Sequence, residues 1–267
     1  MSGSAEGAAA ERRCEATIAG RRVEVLSIAG AAERPTLVLL HEGLGSLSLW
    51  RDFPAALARR TACPVLAWSR YGHGRSEVLG ETRTVRYMHE EALNALPALL
   101  DRFAIDRPVL VGHSDGASIA LIHAGDGRWR PRGLVLIAPH VFVEEATLAG
   151  IRAARAAYAA GELRGLARHH ADAAATFRGW NDIWLAPEFR AWTIEASLPG
   201  IQCPLLLIQG AADEYGTLAQ LDAIAGAVRA PVERLILPAS GHAPQRDAAE
   251  ATLAAIARFV DRLPPCE

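Results

Sequence analysis

The stretch Val109-Leu110-Val111-Gly112-His113-Ser114-Asp115-Gly116, running on into Ala117-Ser118-Ile119-Ala120-Leu121-Ile122, holds the strongest local pattern in the chain. Its unbroken apolar start predicts a strand buried on both faces. The small and apolar residues after Gly116 predict a helix. Between them lies G-x-S-x-G, a strand-to-helix turn so sharp that Gly112 and Gly116 are needed for neighbouring backbone to approach. Such a turn sets the Ser114 hydroxyl above the strand tip, beside the positive end of the following helix. Ser114 is therefore the candidate nucleophile.

Working outward, compact apolar runs recur at Thr36–Leu40, Val65–Trp68, Leu134–Ile137, Leu205–Ile208 and Leu235–Leu237. Between them stand helical patterns, with Leu93, Leu96 and Leu100 on one face and Leu253, Ile256, Val260 and Leu263 on another. Alternating strands and helices imply βαβ units and an α/β fold built on a parallel sheet. Two alternating segments, Arg13–Ile18 and Arg22–Ile28, flank Ala19-Gly20-Arg21 and predict an antiparallel hairpin at the sheet edge, for eight strands in all. From His140 to Gly200 strand signals are missing, and Leu148–Ala160 and Pro187–Ala196 read as helices. The expected division is a disordered tail over 1–12, a core over 13–140 and 201–267, and a small helical cap over 141–200.

A serine hydroxyl needs a base to take its proton, and the base needs a carboxylate to hold its tautomer. His242, in Ser240-Gly241-His242-Ala243-Pro244 after the last strand, is the expected base. Asp213, in Gly210-Ala211-Ala212-Asp213-Glu214 after the penultimate strand, is the expected carboxylate, with Glu214 its rival. The oxyanion of a tetrahedral intermediate requires N–H donors. One is expected from the Asp115 amide, the other from His41-Glu42-Gly43-Leu44-Gly45, at Gly43 with Leu44 as the alternative.

Composition bounds the remaining possibilities. The 267 residues suffice for one large core, and 51% apolar with 22% charged is an ordinary globular balance. A net charge of −2 without a basic run argues against nucleic acid as a partner. Cys14, Cys63, Cys203 and Cys266 have neither disulfide-framework nor zinc spacing, so no metal is expected. Met1–Arg13 has no apolar core of a leader and no stretch is long enough to span a bilayer, so a cytoplasmic location without membrane association is expected.

Together these motifs resemble the α/β-hydrolase superfamily over the span from Cys14 to Leu263, with Trp68-Ser69-Arg70-Tyr71-Gly72-His73-Gly74-Arg75-Ser76 similar to the family's G-x-G-x-S loop. The chain looks closest to the small capped serine esterases and meta-cleavage-product hydrolases. That resemblance implies no cofactor and a small-molecule substrate with a carbonyl group, and it leaves a homodimer open. A serine at the elbow disfavours dehalogenase and epoxide hydrolase chemistry, which needs an aspartate there. Hydrolysis of an ester, thioester or lactone is expected, with C–C hydrolysis and a non-catalytic ligand-binding homologue as alternatives.

In one respect the chain departs from the pattern: Glu42 follows His41 where the family commonly has glycine. Glu42 either turns aside into a structural hydrogen bond or adds a polar contact near the reacting group. Leu44, His113, Trp180 and Trp184 are candidate substrate contacts, and Trp180, Trp184, Phe189 and Trp192 either line an acyl pocket or pack the cap. Arg152, Arg155, Arg164 and Arg168 either attract an acidic substrate or form solvated helix faces.

Overall fold

Successive side chains along each central strand enter different cores, which is why these strands read as unbroken apolar runs. In the computed structural model, of which residues 10–264 are described, Leu37 and Leu39 of β3 (Leu37–Leu40) pack with one cluster while Val38 and Leu40 pack with the other. The same alternation holds in β5 (Val109–His113), β6 (Gly133–Ile137) and β7 (Leu205–Gly210). With β1 (Glu11–Ile18), β2 (Arg21–Ile28), β4 (Val65–Trp68) and β8 (Val232–Leu237) they form an eight-stranded sheet of order β1-β2-β4-β3-β5-β6-β7-β8. The β1–β2 and β2–β4 pairs are antiparallel and all others parallel.

Helices cover both faces. On one lie α1 (Phe53–Thr61) and, from the end of the chain, α9 (Ala249–Asp261). On the other lie α2 (Tyr87–Glu90), α3 (Leu96–Arg102), α4 (Asp115–Gly125) and α7 (Ala219–Ala227). The short α8 (Pro244–Asp247) precedes α9. Between β6 and β7 the chain forms α5 (Glu145–Ala159) and α6 (Ala173–Leu185) with several 3-10 turns. The Asp172 side chain caps α6 by accepting from the Ala175 N–H at 2.8 Å, and the helix buries Phe177, Trp180, Ile183 and Trp184 along one stripe. No helix among the described residues is long and apolar enough to cross a membrane.

Several boundaries differ from the sequence expectation for identifiable reasons. β1 begins at Glu11, inside the expected tail, because Glu11 pairs with Ile28 across the hairpin; residues 1–9 and Cys266 lie outside the described residues. β8 starts at Val232, since an edge strand tolerates the exposed Glu233 and Arg234 that hid its first half. The helix expected over Pro187–Ala196 is two 3-10 turns, broken where Thr193 bridges Phe142 and its hydroxyl donates to Val141 O at 3.1 Å. Between α2 and α3, residues Glu91–Ala95 make a π-helical turn that rotates the buried line onto Met88, Ala92, Leu96 and Leu99 and leaves Leu93 only half-buried.

Candidate active site

Because β3, β5, β6, β7 and β8 run parallel, the loops after them emerge at one edge, and those loops carry Gly43, Ser114, His140, Asp213 and His242. Ser114 sits at φ +52° and ψ −118°, a strained region for a residue with a side chain. Its N–H donates to Ile137 O at 2.9 Å, and its C=O accepts from Ala117 and Ser118, so hydrogen bonds on both sides hold the strain in place. The elbow glycines are equally constrained. A Cβ at Gly116 would lie 2.0 Å from Leu40 O, and one at Gly112 would lie 2.4 Å from Gly116 O.

His242 Nδ1 lies 2.9 Å from both carboxylate oxygens of Asp213. A carboxylate only accepts, so the proton sits on Nδ1 and Nε2 is left as the basic nitrogen. Asp213 also accepts from Gln209 Nε2 at 2.7 Å and from the Tyr215 N–H at 2.8 Å. Burial works to raise its pKa, but the hydrogen bond and charge of His242 outweigh burial and hold the carboxyl below its ordinary value. Its side chain is 1% exposed against 14% for His242. Glu214 does not face the imidazole; its Oε2 accepts the His242 backbone N–H at 3.2 Å and so braces the loop.

The loop after β3 is tied down by its carbonyls. The buried Arg70 guanidinium donates to His41 O at 3.1 Å and Glu42 O at 3.0 Å, His73 Nε2 lies 3.1 Å from Gly43 O, and His170 Nε2 lies 3.0 Å from Leu44 O. With four successive carbonyls engaged, the amides of Gly43, Leu44 and Asp115 donate no hydrogen bond among the described residues. The anchoring roles of Arg70, His73 and His170 escaped the sequence reading, because each partner is a backbone carbonyl distant in the chain. A Cβ on Gly43 would lie 2.1 Å from the Trp180 indole. Gly43→Ala is expected to displace Trp180 and lower kcat/KM roughly 10- to 100-fold in a folded protein, the scale of an ångström-sized misplacement at a reacting centre. Steady-state kinetics beside a near-UV circular dichroism spectrum checks this.

Ser114, His242, Gly43, Leu44, Trp180 and Trp184 line one cavity of about 90 Å³. Ser114 is 7% exposed there. His140, Thr147, Ile151 and Tyr215 complete much of the wall, and none of these four stood out in the sequence. His140 follows β6 much as His242 follows β8; burial, helped by the nearby His242, pushes it down to about 3, so its ring is neutral. Phe189 and Trp192 do not line the cavity; they stack on each other at 5.3 Å and support Trp184. The Trp184 indole N–H donates to the Tyr87 oxygen at 3.0 Å, and the Tyr87 hydroxyl donates to Asp115 Oδ2 at 2.7 Å.

His113, expected at the substrate, lies behind the cavity instead. Its Nε2 donates to His242 O at 2.7 Å, and Glu42 Oε2 lies 3.3 Å from its Nδ1. Glu42 makes the structural contact of the first expectation, and the residue is also among those around the cavity. Burial opposes its charge, but the hydrogen bond and charge of His113 hold its carboxyl at about 2. A carboxyl depressed in this way stabilises the fold above its ordinary 4.5, and that stability is lost as pH falls from about 4.5 to about 2. Glu42→Gln is expected to flatten this acid limb in urea titrations at a series of pH values. Of the four cap arginines, Arg152 pairs with Glu145 and Arg155 with Asn181 and Asp182, and none of the four lines the cavity.

An eight-stranded sheet of this order, with an elbow serine and an imidazole–carboxylate pair at one edge, is the architecture of α/β-hydrolases. The chain belongs to the alpha/beta hydrolase family, which matches residues 37–255. It is similar to protein phosphatase methylesterase 1 of Bos taurus, 33% identical over 112 residues, a match covering 40% of this chain and 28% of that protein. Among solved structures it is similar in fold to the enol-lactonase from Burkholderia xenovorans, with 22% identity, a TM-score of 0.73, and coverage of 93% of this chain and 100% of that one. It is also similar in fold to 2-hydroxy-6-oxo-6-phenylhexa-2,4-dienoate hydrolase from a Rhodococcus strain, with 17% identity, a TM-score of 0.77, and coverage of 95% and 100%.

Proposed function

We propose that the protein is a serine hydrolase that cleaves a small carboxylic ester, thioester or lactone through an acyl-enzyme on Ser114. The observation that carries this reading is the strained Ser114 backbone at the β5–α4 junction, facing the same cavity as an imidazole whose Nδ1 is held by a buried carboxylate. In the proposed reaction His242 Nε2 takes the hydroxyl proton while Ser114 Oγ bonds to the substrate carbonyl carbon. The resulting oxyanion is received by the free amides of Asp115 and Gly43. Asp213 steadies the imidazolium, which then passes its proton to the leaving alcohol or thiol. Water, deprotonated by the same imidazole, cleaves the acyl group and restores the serine.

Residues 141–200 serve in this reading as a cap. Ile151 on α5 and Trp180 and Trp184 on α6 reach over Ser114 and keep the reacting carbonyl away from bulk water. Family membership and the match to a methylesterase support hydrolysis of this kind. The deciding experiment is labelling with a fluorophosphonate followed by peptide mass mapping. Modification at Ser114 is expected; an intact protein after prolonged exposure defeats the proposal.

A further inference from the structure

Ser114 and His242 come to the site from different strands, and one side chain spans the gap between their loops behind the cavity wall. His113 ends β5 immediately before the elbow, with its backbone paired opposite Ile137 in the sheet. From that fixed base its ring reaches the loop after β8, where Nε2 donates to His242 O at 2.7 Å. The ring is only 2% exposed, so water does not compete for this bond. The tie on the other side of His242, from its N–H to Glu214 Oε2, is longer at 3.2 Å and exposed.

The far side of the His113 ring also faces acceptors. Glu42 Oε2 lies 3.3 Å from Nδ1, and the side-chain amide of Gln245, on α8, lies 3.0 Å from it. A carboxylate only accepts, so Nδ1 carries a proton, and Gln245, whose amide can present either end, offers its oxygen. With Nε2–H engaged on His242 O, both ring nitrogens donate, and a charged ring makes the shorter and stronger hydrogen bonds. Glu42 supplies the compensating charge, since its carboxyl is held at about 2. Arg51 and Arg246 line the pocket on the outer side of this pair, but no described hydrogen bond or ion pair joins either of them to Glu42. Trp50 faces the ring from 6.3 Å.

We propose that His113 is a positioning residue that holds His242 in register with Ser114, and that Glu42 keeps it in the form in which both ring nitrogens donate. The proposal rests on the serine-hydrolase reading of the cavity. It places two imidazole–carboxylate pairs in series, Asp213 on the ring of His242 and Glu42 acting through His113 on its carbonyl, with the two imidazoles 5.1 Å apart. Proton transfer from Ser114 to His242 depends on the separation of the two loops, whereas contacts of bound substrate with the cavity wall do not.

Two variants and one spectrum test it. In His113→Phe, which keeps a ring and removes both donors, kcat toward p-nitrophenyl acetate is expected to fall about 10- to 100-fold with KM within about threefold, and fluorophosphonate labelling of Ser114 to slow in step. His113→Gln, whose amide N–H stands close to the lost Nε2–H, is expected to bring kcat back to within about fivefold of wild type. Nuclear magnetic resonance of isotope-labelled histidine nitrogens near neutral pH is expected to show two protonated nitrogens on His113 in the wild type and one in Glu42→Gln. A folded His113→Phe with kcat within about twofold of wild type overturns the proposal. So does a His113→Gln as slow as His113→Phe, a bare ring nitrogen on His113 in the wild type, or two protonated nitrogens in Glu42→Gln; each leaves the serine-hydrolase reading standing. A wild-type protein that neither turns over the ester nor takes the fluorophosphonate overturns both. Should His113→Phe not fold, the wild-type nitrogen spectrum decides alone.

Discussion

Ser114→Ala is expected to lower kcat by about 10⁵- to 10⁶-fold while the protein stays folded. The two halves of this expectation have different causes. Turnover fails because no oxygen remains to form the acyl-enzyme, and the residual rate is that of the free amides acting on bound substrate. Folding survives because the elbow is held by backbone contacts, the Ser114 N–H on Ile137 O and its carbonyl on Ala117 and Ser118, none of which uses the hydroxyl. Alanine meets the same positive φ that serine tolerates. A thermal midpoint within a few degrees of wild type, with turnover lost and the fluorophosphonate no longer attached, is the expected set of results. Near wild-type turnover in this variant removes the covalent mechanism.

Asp213→Asn is expected to cost about 10⁴-fold in kcat, the scale seen when a triad carboxylate becomes an amide. Three donors converge on Asp213: His242 Nδ1, Gln209 Nε2 and the Tyr215 N–H. An asparagine has one acceptor oxygen, so its own NH₂ must face a donor or force His242 into the other tautomer, with the proton on Nε2 where the base is needed. Glu214→Gln is the control. Its contact is to the His242 backbone, and an amide oxygen can replace the carboxylate there. A change below roughly tenfold is expected, the size of one modest hydrogen bond. Equal losses in the two variants would remove Asp213 from its proposed role.

The fold was legible in the chain wherever one physical demand dominated. Central strands with both faces buried had to be continuously apolar, and the hairpin had to alternate, so these strands appeared in the sequence. β8 was half hidden because its exposed edge accepts Glu233 and Arg234. At the candidate site, the meeting of the Ser114, Asp213 and His242 loops at one sheet edge was legible because each follows a strand of the parallel sheet. His140, Thr147 and Tyr215 were not, since their place on the cavity wall comes from the tertiary packing of α5 and the β6 and β7 loops. His113 was misplaced for the opposite reason: adjacency to Ser114 in sequence suggested adjacency to substrate, but the strand's alternation turns its ring behind the wall, onto His242 O.

The buried chain of donors from Trp184 through Tyr87 to Asp115 fastens helix α6 to the residue next to the elbow serine. Swinging α6 outward would take the Trp184 indole N–H from its partner, at about 1–3 kcal/mol, while Tyr87 on α2 keeps its bond to Asp115 on α4. At that cost an open form is a minority state. Entry is then best served by turning rim side chains aside, with the roof left seated and the reacting hydroxyl kept in register throughout the cycle.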